Sequence, residues 1–265
     1  MDNFADYILD EEEIASKMEI VYYLSKKTGI FFDKSVVFKT ELLRLFLNYS
    51  KINVDNNMLL TASLLCNCKK STEAQDINKI HSYAKEGAQY LSVLGFGKKF
   101  CKICEEINRY SNSNPREKES DILELIDNFG GMLLDRPERI GFKPDEALVL
   151  LEHRNLKNEY NRYLNTFMDF VNFIESVKMS DTSNITVLRK LIKYHNETTE
   201  VTEFIKKVIY KFEPKADKMI ENKNDELANK MFEISSDPNR SLFSEETTKK
   251  ILSHISDEAT SNVSE

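Results

Sequence analysis

The sequence predicts an all-α protein, and three observations carry that expectation. Its 265 residues include seven glycines and five prolines, too few to punctuate a sandwich, a propeller or a long series of βα turns. Apolar residues recur every three to four positions through most of the chain, the spacing of one helix face. With 41% hydrophobic and 31% charged residues, the composition is that of a folded chain with a sizeable core.

The elements follow in order. Asp10 is expected to cap a helix whose first turn is Glu11-Glu12-Glu13, acids at the positive end of the dipole. Ile14, Met18, Val21 and Ser25 share one face, Lys26-Lys27 close the last turn, and Gly29 suits the stop. A second helix covers about 35–50 with Leu42, Leu43, Leu45, Phe46 and Leu47. A third starts after Asp55; apolar nearly all round from Met58 to Leu65, it should lie at the centre of the bundle. Asp76 begins a fourth with Ile80, Ala84, Gly87-Ala88, Leu91 and Leu94, ending at Gly95. Phe100, Ile103, Cys104 and Ile107 mark the next, and residues 111–115 form a loop. Ile122, Leu125, Ile126 and Phe129 mark another, and Pro144 suits the first position of its successor.

From Leu156 the pattern becomes a heptad seam of Leu156, Tyr160, Tyr163, Phe167, Phe170, Ile174 and Val177. Shorter amphipathic helices are expected near 184–195, 199–213, 216–234 and 244–255, followed by a polar tail. The aromatic seam reads first as a helix docked on its own domain. The alternative is an interface, for a homodimer or a protein partner, built on Tyr160, Tyr163, Phe167, Phe170 and Ile174.

Composition also excludes functions. A net charge of −7, with basic residues interleaved among acids, argues against gripping a nucleic-acid backbone. No G-x-G-x-x-G or G-x-x-x-x-G-K-[ST] cradle occurs. No apolar run approaches the roughly 20 residues that span a bilayer. The acidic N-terminus lacks the order of a signal peptide, so a cytoplasmic protein with reduced cysteines is expected.

One order of short motifs is familiar. Leu64-Leu65-Cys66-Asn67-Cys68-Lys69-Lys70 is followed by Gly87-Ala88-Gln89-Tyr90-Leu91 and Leu125-Ile126-Asp127-Asn128-Phe129. Asp135-Arg136-Pro137-Glu138-Arg139 and Lys143-Pro144-Asp145-Glu146-Ala147-Leu148 come next. The series resembles the HD-GYP branch of the HD-domain phosphohydrolases, whose corresponding segments are His-Asp-x-Gly-Lys, Gly-Ala-Glu-x-Leu, Ala-Asp-x-Phe, Asp-Arg-Pro-Tyr-Arg and Ser-Pro-Glu-Glu-Ala-Leu. The resemblance implies an HD-domain-like helical bundle over 35–155, with a packed N-terminal helix in 1–34. A helical C-terminal extension over 156–255 and a flexible tail at 256–265 complete the expected plan.

Family members use His and Asp ligands to hold two or three metals that activate water against cyclic di-GMP. Here the His-Asp pair falls on Cys66-Asn67, the next histidine on Tyr83, and the tandem histidines on Ile107 and Asn108. The Gly-Tyr-Pro loop has no counterpart in 111–115. Asp127 alone keeps its ligand type, and Lys70 matches the signature lysine. His81 would face away from the Tyr83 position, two residues being about 200° on a helix.

The resemblance therefore implies a degenerate domain, a non-catalytic regulatory or scaffolding module of bacterial signalling, with no cofactor. Two alternatives stand beside it. Lys70, Arg136 and Arg139 could hold phosphates of a cyclic dinucleotide without hydrolysis, or Asp127 could serve an atypical phosphohydrolase. Arg136 and Arg139 read otherwise as ion-pairing residues that pin a helix junction. The cysteine pairs Cys66-x-Cys68 and Cys101-x-x-Cys104 read as core thiols, with a four-thiolate zinc site or a nucleophile served by His81 as alternatives.

Overall fold

The computed structural model describes residues 4–10, 14, 16–18, 20, 21, 32, 34–70, 82–107, 116–136, 139–155, 161–178 and 185–198. Among these residues all regular elements are helices, and the sole β pairings are isolated bridges, Arg136 with Arg139 and Lys178 with Thr186. Asn108, Tyr160, His81, His254, the loop at 111–115, the start of the seam at 156 and every element expected beyond 198 lie outside the described residues.

The chain opens with α1 (Phe4–Asp10), and helical backbone recurs at Ile14, Met18 and Val21. Asp10 is itself helical, so the chain coils before the cap expected there. The next helix, α2 (Lys34–Ser50), buries Val37, Phe38, Leu42, Leu43 and Phe46, an i, i+4, i+5 stripe broad enough to meet several neighbours. It packs against α3 (Asn56–Leu65), α6 (Lys118–Leu133), α8 (Leu164–Ser176) and α9 (Val187–Glu197). Asp55 caps α3 as expected, its carboxylate accepting from the Met58 N–H at 2.9 Å. Every residue of α3 from Leu59 to Leu65 is buried, the fate its all-round apolar sequence predicts. The central place is shared with α2, which the sequence reading did not single out.

Next come α4 (Tyr83–Val93) and α5 (Lys98–Glu105), packed on each other. Gly95 turns the chain between them at a φ of 93°, where a side chain would be strained. Pro144 begins α7 (Pro144–Asn155), the first-turn place its missing N–H allows. A lysine fixes the last corner. Lys34 Nζ donates to the carbonyls of His195 and Thr198 at 2.6 and 2.5 Å, putting a cation on the negative end of α9.

The aromatic seam turns inward. Phe167 and Phe170 are wholly buried, with Phe46 5.3 Å from each ring and Phe129 5.3 Å from Phe167. Fully burying each such ring contributes about 1.5–3 kcal/mol. Ile174 is buried beside them and Tyr163 is half-buried. One core therefore runs from Ala5 to Leu191, across the boundary expected at 155, because α8 and α9 dock on α2. No helix among the described residues is long and apolar enough to cross a membrane.

Candidate functional site

The site is built where the turn after α3 meets the facing sides of α2 and α6. Asp127 projects from the middle of α6, and Lys39 from the first half of α2 reaches it with Nζ–Oδ1 at 2.6 Å. The Asn67 amide, from the turn at 66–70, donates to the same oxygen at 2.9 Å. Side-chain exposure is 7% for Lys39 and 16% for Asp127, so the pair is largely out of water.

One glycine gives Lys39 its path. A Cβ on Gly130 would stand 2.9 Å from Lys39 Cγ, too close to be tolerated without movement. A Cβ on Gly131 would crowd Arg136 instead, 3.3 Å from its Nη2, and meet Lys39 Nζ only at 3.9 Å. Gly130 thus lets a lysine stem lie against α6 and its ammonium reach the carboxylate one turn back.

Electrostatics follow from this crowding. Burial pushes the Asp127 carboxyl up, but the charges of Lys39 and Lys70 and the hydrogen bonds from Lys39 and Asn67 win, holding it well below the usual carboxylate range. Lys70 is pulled the other way. Asp127 favours its charged form, yet burial and the positive charges of Lys39 and Arg136 prevail, leaving its ammonium below the ordinary lysine value. Its Nζ lies 5.2 Å from the centre of the Tyr83 ring, a cation–π contact. Cys66 is raised by burial and by the Asp127 charge, and burial pushes Cys68 up to about 12.

Among the positions that the HD-GYP resemblance sets against metal ligands, Cys66, Asn67 and Asp127 come together. Tyr83 is near them through Lys70, and Ile107 is a core residue. Their donors do not suit a pair of divalent ions. One carboxylate already carries an ammonium, Asn67 turns its N–H toward that carboxylate, and the Cys66 thiol is held protonated. Among the described residues, no three of His, Cys, Asp and Glu are placed to hold one metal ion.

The two arginines part company. Arg139 donates to the Gly131 and Met132 carbonyls at 2.7 and 3.0 Å and stacks on Phe142, closing the C-terminal end of α6. These bonds pin the helix junction through carbonyls, and Asp135 accepts from the Gly141 N–H at 2.8 Å. Arg136 is exposed and makes one long bond, 3.4 Å, to the Gly131 carbonyl. Lys70 and Arg136 join the Asp127 centre, and Arg139 supports it from behind.

Cys66, Cys68 and Cys104 are buried thiols and Cys101 is half-buried. His153 is exposed on α7, whereas His195 is buried on α9 against Phe38. Phe167, Phe170 and Ile174 sit in the core of this chain, the docked reading of the seam. Sequence reasoning missed Lys39. Its signal was its place three, four and seven residues before Leu42, Leu43 and Phe46, a lysine in an apolar stripe.

The chain matches no protein-family model, no curated protein and no solved structure.

Proposed function

We propose that this chain is a non-catalytic, HD-GYP-like regulatory or scaffolding module of bacterial signalling, working through protein contacts rather than by hydrolysis. The observation that carries the reading is the Lys39–Asp127 pair. In a metal phosphodiesterase a carboxylate at this place would have to face a cation held by several other ligands. Here the cation is the protein's own ammonium, fixed on a neighbouring helix and admitted by Gly130. An ammonium neutralises the carboxylate but has no open coordination position from which to activate water. Asn67 and Cys66 supply neither charge nor a ready thiolate at its side. The motifs that shape the fold persist in this reading while the groups that would do chemistry are replaced.

The test is turnover. Purified protein supplied with manganese or ferrous iron should hydrolyse neither cyclic di-GMP nor a generic phosphodiester above the buffer rate, and Asp127→Asn should leave that result unchanged. Metal-dependent hydrolysis by the unmodified chain, lost in Asp127→Asn, would overturn the reading.

A further inference from the structure

We propose that the outward face of α7 is a self-complementary docking surface, on which a second copy of this chain lays its own α7 antiparallel. The inference goes beyond the non-catalytic reading and does not depend on it, since a working hydrolase could pair in the same way.

Exposed apolar surface is concentrated on this helix and the turn before it. Among the described residues seven large apolar side chains are exposed, and four of them are Ile140, Phe142, Val149 and Leu150. The inner side of the helix is already used. Ala147, Leu148 and Leu151 are buried where α7 packs on α6 and α8. At about 100° per residue, Val149 and Leu150 stand on the other side, and they are 66% and 36% exposed. Single exposed apolar residues need no explanation, whereas a group of them marks an interaction surface.

Charge decides what covers it. Along this face α7 runs from acid to base, with Glu146 in the first turn and His153 and Arg154 in the last, all exposed. Glu146 accepts from the Lys143 N–H at 3.0 Å, which holds the carboxylate at the helix start. Among the described residues no ion pair takes His153 or Arg154. Glu146, Leu150 and Arg154 form a row at a spacing of four, centred on the leucine. A two-fold axis beside Leu150 sets that leucine against its copy and brings Glu146 to the partner's Arg154 and the partner's His153. The same axis lays the positive end of each helix dipole beside the negative end of the other. A different protein would have to carry this order reversed; a second copy supplies it by symmetry. Asp145 and Glu152 lie about 140–160° around the helix from Leu150, so the pairing leaves them in water.

Sedimentation equilibrium of the full chain, from about 1 to 500 μM, tests the pairing. Three helical turns make a small interface, so the mass should rise toward two chains with a Kd of about 10–100 μM. Leu150→Glu sets a carboxylate against its own copy and should leave one chain throughout that range, with circular dichroism unchanged. Val149→Glu, at the more exposed neighbour, should do the same. Glu146→Lys and Arg154→Glu should each weaken pairing about tenfold, and the two together should pair about fivefold more tightly than either alone. A single-chain mass at the highest concentration, a dimer that Leu150→Glu and Val149→Glu leave intact, or a double exchange no tighter than either single variant would overturn the proposal.

Discussion

At the N-terminal end of α6, five carboxylates meet four cations; nearer its C-terminal end, the single carboxylate of Asp127 meets two lysines, Lys39 and Lys70. Arg116 is the hub of the first group. Its Nη1 donates to Glu124 at 2.8 Å, its Nε lies 3.3 Å from Asp121, and its Nη2 donates to the Glu106 carbonyl at 2.7 Å. Arg162 holds Asp121 at 2.5 Å, Lys99 holds Glu119 at 2.9 Å, and Lys102 holds Glu117 at 2.9 Å and reaches Glu106 at 3.7 Å. Glu119 and Asp121 also stand in the first turn of α6, where its dipole favours them. That end ties α5, α6 and the segment before α8 together with acids in excess, five to four. The Asp127 end is the reverse, one carboxylate facing two lysines. The first network joins elements across three segments, whereas the second neutralises one buried carboxylate.

Phe167 packs against Phe129 of α6 and sets the scale for breaking either end. Phe167→Asp puts a carboxylate into an apolar layer and should cost about 5 kcal/mol or unfold the chain. Because the ring is buried within one chain, the variant should be lost to aggregation rather than recovered as a folded monomer on a sizing column. Arg116→Met comes next. It strands Glu124 and part of Asp121 in a buried place, at an expected cost of about 3–5 kcal/mol in urea unfolding.

Lys39→Met should cost less, about 1–3 kcal/mol, because Lys70 and the Asn67 amide still face Asp127. Equal losses for Arg116→Met and Lys39→Met would erase the contrast between the ends. Acid sharpens it further. The Asp127 carboxyl is held below its unfolded value, so its contribution is complete above the ordinary range near 3.9 and is lost as pH falls below that. Asp127→Asn should remove this share of the acid sensitivity in unfolding curves taken between pH 5 and the acid limit. An unchanged curve would mean that the pair adds nothing to stability.

Much of the frame was legible in the residues. Asp55 announced the start of α3, Pro144 the start of α7, and the seam of Phe167, Phe170 and Ile174 its burial. Those signals are local, since a cap or a stripe is written in neighbours along one helix. The centre itself is not local. Asp127, Asn67 and Lys70 could be picked out as motif positions, but Lys39 lies 88 residues from Asp127 and belongs to no motif. A lysine on an amphipathic helix reads as solvated until the facing helix shows a glycine, Gly130, against its stem. The Arg116 end was hidden for the same reason. Glu119, Asp121 and Glu124 open a helix as dipole-friendly acids commonly do, and only the fold brings Arg116 and Arg162 to them.

Asp127 faces the protein's own ammonium, and the proposed reading has no metal beside it. Elemental analysis tests it most directly, on protein purified without chelator and again after incubation with ferrous iron and manganese followed by desalting. The account predicts no stoichiometric metal in either sample. Two metal ions retained per chain, and lost in Asp127→Ala, would contradict it.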